Sequence, residues 1–520
     1  MKSAAAMKAT LGLLTGLAVI LSGCAAGPNY HTPKPDTPPA FVASGPANAA
    51  TSTGAAASTT PAAAPDPATW WRALNDPELD SLVERAIKSS PDIEIALTRL
   101  QQARNYEAVV LGHALPDVEA SAAAAKGTGN DLTKGRADQG LRSADNSTGL
   151  QHINTIAGFD AVWELDIFGK YRREFEAARY DAQAAAAARS AVITSLIADV
   201  VRAYIDLRGF QIQAGVLRNA SNVLRESLRI VNIRYERGIT NELDVQLATR
   251  ELDTLEAQVA PVDAEVNASQ YTLAVLLGEY PESIVHELST PTLIPSMPAP
   301  VAPGAPLDLL KRRPDIQEAE RQLASATARI GVATANLFPQ VALIAGIGTQ
   351  SQGLGTAPNI SKHIWSFGPG AVWPLLDFGA LDAEVNIAHL EAHASLVTYR
   401  KTILSAVQQV DAALDGYTAQ QDRLKYLGDA MVAGQRAVDL ANARYNRGLT
   451  DFLNVVDAER EFYDLQEQYA TAQVTQGEQF VELYKSLGGG WQGYQDVPAI
   501  RRPQPAIIAA FRRTLSSSAP

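Results

Sequence analysis

The sequence predicts a mainly α-helical protein with a small β part, built from two copies of one structural unit. Three observations support this fold class. An internal repeat relates the two halves of the 520-residue chain, residues 166–237 form a long helical pattern without proline, and four short segments alternate between apolar and polar residues. Helices of this length do not fit into a compact domain, so an elongated molecule is expected.

The repeat is clearest in two pairs of segments that share an offset of 210 in residue number. Residues 234–240 (Arg-Tyr-Glu-Arg-Gly-Ile-Thr) match residues 444–450 (Arg-Tyr-Asn-Arg-Gly-Leu-Thr), and residues 162–169 match residues 372–379. Nearer the N-terminus the offset is 223, since Pro116 matches Pro339. The stretch from Pro116 to Trp163 in the first half is therefore 13 residues longer than the stretch from Pro339 to Trp373 in the second. Such a long period indicates a duplication and not a stack of short repeats.

Both halves are expected to contain the same helices in the same order. These helices cover residues 78–114, 166–237 and 240–277 in the first half, and residues 306–337, 380–447 and 450–487 in the second. Asp76-Pro77 is a helix start signal, while Gly238 and Gly448 end the long helices. The combined length of the two shorter helices of the first half nearly matches that of its long helix, so they could stack end to end alongside it.

Four segments have the alternation of strands with one apolar and one polar face. They are residues 117–122, 152–165, 340–347 and 364–375. Membrane barrels use such strands, with aromatic girdles that Trp163 and Trp373 would suit, although two soluble hairpins would give the same pattern. A membrane barrel needs at least about eight strands to close. If these strands lie in a membrane, several chains must share one barrel, with their helical rods bundled around a common axis.

The N-terminal residues predict export and lipid attachment. Residues 1–23 carry Lys2 and Lys8 before a short apolar stretch, which is below the roughly 20 residues of a membrane span, and they are interpreted as a signal peptide. Cys24 follows Leu-Ser-Gly and resembles the lipidated cysteine of bacterial lipoproteins; a small residue at an ordinary cleavage site is the alternative. By that resemblance, Ala25 and Ala26 favour the outer membrane.

The remaining boundaries follow from composition and from the repeat. Residues 24–69 are expected to be the lipidated N-terminus and an Ala/Pro-rich tether, residues 70–278 the first repeat, residues 279–305 a Pro-rich linker, residues 306–491 the second repeat, and residues 492–520 a tail.

The composition argues against two function classes. The net charge is −12 and no basic run is longer than residues 311–313, so no nucleic acid partner is expected. No nucleophile elbow or phosphate loop is present, so no catalytic residue is predicted. His389 and His393 share a helix face, but Leu390 stands where a zincin has its glutamate and no third ligand lies nearby, so no metal site is predicted.

A set of motifs in a fixed order carries a family resemblance. The motifs are Gly23-Cys24 with Pro28 and Tyr30, Trp70-Trp71 with residues 76–79, residues 312–316 with Ala319-Glu320, residues 330–333, Phe338-Pro339, the two Arg-Tyr-x-x-Gly segments and residues 487–491. The chain resembles the TolC-type outer-membrane efflux family, in its lipoprotein branch that serves resistance-nodulation-division (RND) pumps. The resemblance spans residues 23–491.

The resemblance implies a homotrimer anchored in the outer membrane. Three sets of four strands would form a shared 12-stranded barrel above a periplasmic tunnel of 12 helical rods, with residues 279–305 in an equatorial belt. The implied partners are a periplasmic adaptor (membrane fusion protein) and, through it, an inner-membrane RND-type pump. The implied function is a passive exit duct for drugs and other small molecules. No cofactor is implied besides the lipid on Cys24.

The resemblance also places the working residues. The turns at Gly238 and Gly448 would be periplasmic tips that contact the adaptor; helix capping is the alternative role of their neighbours. The tip residues are Tyr235, Arg237, Gly238, Thr240, Tyr445, Arg447, Gly448 and Thr450. The constriction candidates are Asp244, Asn454 and Asp457. Asn454 stands where the family often has an acid, and Asp457 is expected either in the lumen or on the outer face.

Two alternative functions stay open at this point. One is a duct for a secreted oligosaccharide or peptide, and the other is a structural envelope lipoprotein without a channel. The substrate is not indicated by the sequence. Four Met and seven scattered His residues give no support to copper or silver handling.

Overall fold

The structure, a computed structural model, describes residues 25–34, 38–44, 66–126, 153–298, 306–352 and 363–494. The predicted signal peptide, Cys24 and the tail after residue 494 lie outside these ranges. The described helices are α1 (Pro77–Ser89), α2 (Pro91–His113), α3 (Lys170–Glu236), α4 (Glu242–Leu277), α5 (Pro281–Glu287), α6 (Pro306–Arg312), α7 (Pro314–Ala335), α8 (Ala380–Asn446) and α9 (Leu453–Ser486). The strands are β1 (Asp117–Lys126), β2 (Ile153–Leu165), β3 (Gln340–Gln352) and β4 (His363–Val372).

Two predicted helices are each divided in two, which corrects the sequence prediction. The predicted helix 78–114 is interrupted at Ser90, which has extended backbone angles before Pro91. The predicted helix 306–337 is interrupted in the same way at Arg313, before Pro314. A proline lacks the N–H that the preceding turn would use, and its ring disfavours helical angles in the residue before it.

The long helices are somewhat shorter than predicted. Both α3 and α8 contain 67 residues, about 100 Å at about 1.5 Å per residue. The predicted start at Asp166 is wrong, because residues 166–169 form a turn that ends at Gly169 with φ +81°. The Asp166 carboxylate instead accepts hydrogen bonds from the N–H groups of Tyr171 (3.1 Å) and Arg172 (3.0 Å) and caps the helix.

The shorter helices stack end to end, as their lengths predict. The end of α4 meets the junction of α1 and α2, where the Ser89 hydroxyl donates to the Leu277 carbonyl at 2.7 Å. In the second half Arg313 donates to the Ser486 carbonyl at 2.8 Å, so the end of α9 meets the junction of α6 and α7. Both α2 and α4 pack on α3, and both α7 and α9 pack on α3 and α8. The rods therefore follow one another as α2 with α4, α3, α7 with α9, and α8.

The four strands form one antiparallel sheet in the order β1-β2-β3-β4. One face is apolar and exposed: Phe159, Ile347 and Trp365 lie side by side on neighbouring strands and are 58%, 61% and 76% exposed. The other face carries polar groups, such as the Ser121 hydroxyl, which donates to Asp160 at 3.3 Å. Among the described residues of a single chain, the outer strands β1 and β4 each have one edge that pairs with no other strand.

The largest core cluster lies midway along the rods, against the 3-10 helix Pro67–Leu74. Trp70 and Trp71 are each 1% exposed, and Trp70 stacks on Tyr484 with 5.4 Å between ring centroids. Among the described helices, α3 has the one stretch long and apolar enough to cross a membrane, and 61% of that stretch is buried within the fold. Packing in this core accounts for its apolar character.

Candidate functional site

The turns that join α3 to α4 and α8 to α9, called the two tips below, have the same backbone geometry. In the first tip Gly238 has φ +70°, its N–H donates to the Tyr235 carbonyl at 2.8 Å, and the Ile239 N–H donates to the Arg234 carbonyl at 2.8 Å. The second tip, at Gly448 with φ +72°, has the same two bonds at 2.9 and 3.0 Å. Glycine adopts this left-handed geometry without a Cβ clash, which fixes each tight reversal.

Each tip also joins a threonine to the residue four positions later. The Thr240 hydroxyl donates to the Asp244 carboxylate, and the Asn454 side-chain amide donates to the Thr450 hydroxyl at 2.7 Å. The two pairs are related by the repeat, so Asp244 and Asn454 hold equivalent positions at the starts of α4 and α9. Two of the three predicted constriction residues are thus engaged in local helix-start contacts.

Tyr445 lies between the two tips and is 7% exposed. Its ring packs against Phe452, with 5.2 Å between ring centroids, and the Arg234 guanidinium of the first tip lies 4.4 Å from the ring centre. Val231 of α3 and Ala248 of α4, which flank the first tip, are fully buried in the same cluster. Apolar packing and a cation–π contact therefore hold the two tips of one chain together.

The other predicted tip residues lie nearer the surface. Tyr235, the repeat equivalent of Tyr445, is 44% exposed, and Arg237 and Arg447 are exposed at the ends of α3 and α8. Both glycines are exposed, and Thr240 and Thr450 are half-buried. The tips therefore present aromatic and cationic groups to the outside, although Tyr445 itself is shielded.

Asp457 lies one helical turn beyond Asn454 on α9. Its side chain is 51% exposed, and its carboxylate lies 3.6 Å from the Arg460 guanidinium. The same Arg460 also lies 3.9 Å from Glu461, which is 72% exposed. Asp457 therefore has an accessible charge, as a constriction residue needs, with only a surface ion pair to offset it.

Sequence reasoning missed three residues of this region: Arg234, Phe452 and Glu459. Arg234 begins the repeated Arg-Tyr segment, and this repetition could have marked it as a tip residue. Its contact partner, Tyr445, lies in the other half of the chain and could not be found from local sequence. Glu459 is 2% exposed, and one of its carboxylate oxygens has no hydrogen-bond partner among the residues that the structure describes. Burial raises the pKa of this carboxyl group. No local sequence pattern marks a carboxyl group for burial at this position.

The predicted girdle tryptophans lie where the sheet joins the rods. The Trp163 indole N–H donates to the Ala114 carbonyl at 3.0 Å, and the Trp373 indole N–H donates to the Leu337 carbonyl at 3.1 Å. Trp163 is half-buried and Trp373 is 55% exposed. Each indole thus ties the end of a strand to the end of the shorter helix of its own half.

Four successive rods line one cavity, and several of its lining side chains are charged. The cavity has a volume of about 310 Å³, and its lining includes Tyr106, Asp181, Arg329 and Glu384. Asp206 lies about seven turns beyond Asp181 on α3. At that level α3 and α9 carry a charged band: Asp199 with Lys485 at 3.7 Å, Arg202 with Glu482 at 3.4 Å, and Asp206 near Glu478.

The charged band predicts a pH-dependent stability. Burial and the nearby Glu478 carboxylate raise the pKa of Asp206 from 3.8 to about 6, although Arg202 opposes the shift. The folded protein therefore keeps this proton up to about pH 6, whereas the unfolded chain releases it near pH 4. We expect the stability contribution of Asp206 to fall as the pH rises from 4 to 6. Thermal unfolding midpoints between pH 4 and 7.5 should show this, and Asp206→Asn should flatten the profile and raise the midpoint at pH 7.5.

Asp199→Asn is the matched control for this measurement. Asp199 lies two turns away on α3, with a half-exposed carboxylate that contacts Lys485. Its profile should keep the slope of the unmodified protein. If the unfolding midpoints of the unmodified protein and of Asp206→Asn changed in parallel with pH, the raised pKa would not belong to Asp206.

Comparisons with known proteins agree with this architecture. A model of the outer membrane efflux protein family matches residues 82–279 and 305–489. Nodulation protein T of Rhizobium leguminosarum bv. trifolii is 30% identical over 476 residues, which cover 91% of this chain and 96% of that protein. The pyoverdine export outer membrane protein OpmQ of Pseudomonas aeruginosa is 29% identical over 431 residues, which cover 82% of this chain and 89% of OpmQ.

Solved structures show the same fold. The outer-membrane channel OprN superposes with a TM-score of 0.77 at 33% identity, over 90% of this chain and 100% of that one. The open state of the MtrE outer membrane channel of Neisseria gonorrhoeae superposes with a TM-score of 0.73 at 24% identity, over 91% and 100%. The family and the fold class predicted from the motifs are confirmed. The chain belongs to the outer membrane efflux protein family.

Proposed function

We propose that this chain is the exit duct of a tripartite efflux system and conducts small molecules passively from the periplasm and a pump to the cell exterior. The observation that carries the proposal is the four-stranded sheet with one exposed apolar face and two unpaired edges, joined to 67-residue rods. An open sheet edge is not tolerated in a bilayer, because its backbone groups find no water there. The sheet must therefore be completed by further copies.

A homotrimer completes it with twelve strands. Helix α8, at one side of the row of rods, exposes Leu390, Val397 and Leu404, which recur at heptad spacing and are 68%, 49% and 70% exposed. Helix α2, at the opposite side, exposes Ile95 and Val109 at 50% and 49%. Each copy thus offers two different apolar sides to its neighbours, as a closed ring of head-to-tail contacts requires.

The N-terminal segment supports a lipid anchor on Cys24. The Ala26 N–H donates to the Phe168 carbonyl at 3.0 Å, just beyond the end of β2. Arg173, which is 4% exposed, donates to the carbonyls of Ala26 (3.0 Å) and Gly27 (3.2 Å). Ala26, two residues after Cys24, is therefore held at the boundary between sheet and rods, where an acyl chain would reach the inner leaflet of an outer membrane.

The exposed parts of the two tips are proposed to dock a periplasmic adaptor, and through it an RND-type inner-membrane pump. Tyr235, Arg237 and Arg447 would make direct contacts, whereas Tyr445 would act by shaping the tip. We propose no catalytic role and no cofactor besides the lipid. Relatives are named for the export of pyoverdine and toluene, so the substrate would be set by the pump partner and not by the duct.

Single-channel conductance in planar bilayers tests this proposal. The purified protein should give discrete conductance steps, and Asp457→Ala should enlarge them by about twofold if three copies of this carboxylate narrow and charge the entrance. Glu461→Ala is the matched control, because Glu461 contacts the same Arg460. A response of Asp457→Ala equal to that of Glu461→Ala would place Asp457 on the outer face.

A tightly closed entrance could hide the pore, so the same recording should be made with Tyr445→Ala, which removes the packing between the tips. Discrete steps from this variant alone would indicate a duct that is closed at rest. No steps from either folded protein would contradict the duct and favour a structural envelope lipoprotein. Release of the protein from membranes when only its lipid is removed would also favour a structural envelope lipoprotein.

A further inference from the structure

We infer that residues 495–500 dock against α2 and α3, and that the Asp496 carboxylate pairs there with the guanidinium of Arg189. These residues lie outside the described ranges, but the site that they complete lies within them. Arg189 is on α3, at the place where the described chain reaches its last residue, Tyr494. The pair would clamp the segment that follows α9 onto the rods of the first half.

The guanidinium of Arg189 is buried and lacks one of its acceptors. Arg189 is 8% exposed, and its Nη1 donates to the Tyr494 carbonyl at 3.1 Å. Its Nε is buried and has no hydrogen-bond acceptor among the residues that the structure describes. A buried charge is costly unless it is both paired and hydrogen-bonded, so this guanidinium requires a further, anionic partner.

Arg189 is the exception among the buried arginines of the described chain. The others are likewise at most 8% exposed, but each of them has a carboxylate partner. The three pairs are Arg173 with Glu176 at 2.8 Å, Arg208 with Glu78, and Arg313 with Asp315 at 2.7 Å. No carboxylate of the described residues forms an ion pair with Arg189. The partner of Arg189 is therefore to be sought in the rest of the chain.

A second arginine makes the site more positive. Burial and the nearby Arg104 guanidinium, on α2, lower the pKa of Arg189. Arg104 is exposed and forms no ion pair among the described residues. Gln101 lies one turn earlier on the same face of α2, and its side-chain nitrogen is buried without an acceptor in the described part of the chain. The unsatisfied groups on this face of α2 and at Arg189 are donors, so the missing partner is an acceptor with negative charge.

Asp496 is within reach of this site. Tyr494 packs against the largest core cluster, and its carbonyl already contacts the Arg189 guanidinium. The Cα atoms of residues 494 and 496 lie at most about 7 Å apart, so the Asp496 carboxylate can reach the Nε side of the same guanidinium. Arginine binds a carboxylate with two parallel hydrogen bonds. Asp496 is also the single acidic residue in residues 495–520, which contain four arginines.

A described carboxylate near Tyr494 is already engaged elsewhere. Burial and the nearby Glu84 carboxylate raise the pKa of the Tyr494 hydroxyl, whereas Arg72 opposes this shift. Glu84 pairs with Arg72 at 3.1 Å, and the two side chains are 47% and 53% exposed. Glu84 therefore has its own partner, and its pair with Arg72 leaves the Arg189 site unfilled.

Limited trypsin digestion of the purified full chain, followed by mass spectrometry, tests the docking. Trypsin can cleave after Arg501, next to the docked residues, and after Arg513, farther along the same segment. Cleavage after Arg501 should be the slower of the two, because docking hides residues that the protease must engage. Asp496→Asn should speed cleavage after Arg501 about tenfold and leave cleavage after Arg513 unchanged, since a hydrogen-bonded charge pair holds the docked state.

Arginine variants show which guanidinium holds the segment. Arg189→Gln should speed cleavage after Arg501 as much as Asp496→Asn does, and the double variant should be no faster than either single one. Arg104→Gln, at an exposed position, should give a smaller increase in the same direction, and it stays informative if Arg189→Gln does not fold. Glu84→Gln is the matched control and should change the rate by less than about twofold.

Two results would overturn the inference. One is equal cleavage after Arg501 in the unmodified protein and in Asp496→Asn. The other is a double variant of Asp496 and Arg189 whose increase is the product of the two single increases, because residues that do not interact have independent effects. In either case, a rise of the thermal unfolding midpoint with inorganic phosphate, absent from Arg189→Gln, would assign the site to a free anion instead.

Discussion

Replacing Tyr445 with alanine is expected to open the periplasmic entrance and to raise the single-channel conductance strongly. The ring is 7% exposed and packs between Phe452 of its own tip and Arg234 of the first tip. Removing a buried aromatic ring costs about 3–5 kcal/mol of packing. If opening separates the two tips, the open fraction should rise about tenfold for every 1.4 kcal/mol lost from the closed state.

Tyr235→Ala is the matched control, because Tyr235 is the repeat equivalent of Tyr445 and is 44% exposed. It should leave the conductance unchanged while weakening adaptor binding, if the exposed ring is a docking contact. The two outcomes are measured by bilayer recording and by co-purification with the adaptor. Equal conductance changes for both variants would show that the burial of Tyr445 does not govern the entrance.

Replacing Arg208 with alanine is expected to have the largest effect on stability. Arg208 is fully buried on α3, and its guanidinium donates to the Glu78 carboxylate, to the Gln211 side chain at 2.7 Å and to the Thr290 carbonyl at 3.0 Å. It joins α1, α3 and the segment after α5. Its loss empties a fully buried site and leaves the buried Gln211 side-chain oxygen and the partly buried Glu78 carboxylate without this partner, which together cost about 3 kcal/mol. A large fall in the thermal unfolding midpoint should follow.

Arg218→Ala is the control on the same helix. Arg218 also pairs with a carboxylate, that of Asp263, but the two side chains are 53% and 42% exposed. Water replaces such a contact at little cost, so the change should stay below about 1 kcal/mol. Similar midpoints for the two variants would mean that water reaches the Arg208 site. The folded fraction should be followed by circular dichroism, so that loss of assembly is distinguished from loss of fold.

The sequence by itself determined the features that local patterns encode. The two constant offsets, 210 and 223 in residue number, located the repeat, the proline-free stretch located α3, and the period of two located all four strands. Gly238 and Gly448 marked the two reversals, because a left-handed turn requires a residue without a Cβ. Pro91 and Pro314 also stand at the two helix breaks, but proline is equally compatible with the first turn of a helix, so these residues alone did not divide the predicted helices.

Tertiary structure alone decided which copy of a repeated residue is buried. Tyr235 and Tyr445 have nearly identical local sequences, yet one is exposed and the other is covered. Tyr445 is covered by Phe452 of its own half and also by Arg234 and Val231, which come from the other half of the chain. Burial depends on contacts between residues far apart in sequence, and two copies of one motif do not have the same neighbours. The repeat could predict equivalent backbones, but only packing could make their side chains unequal.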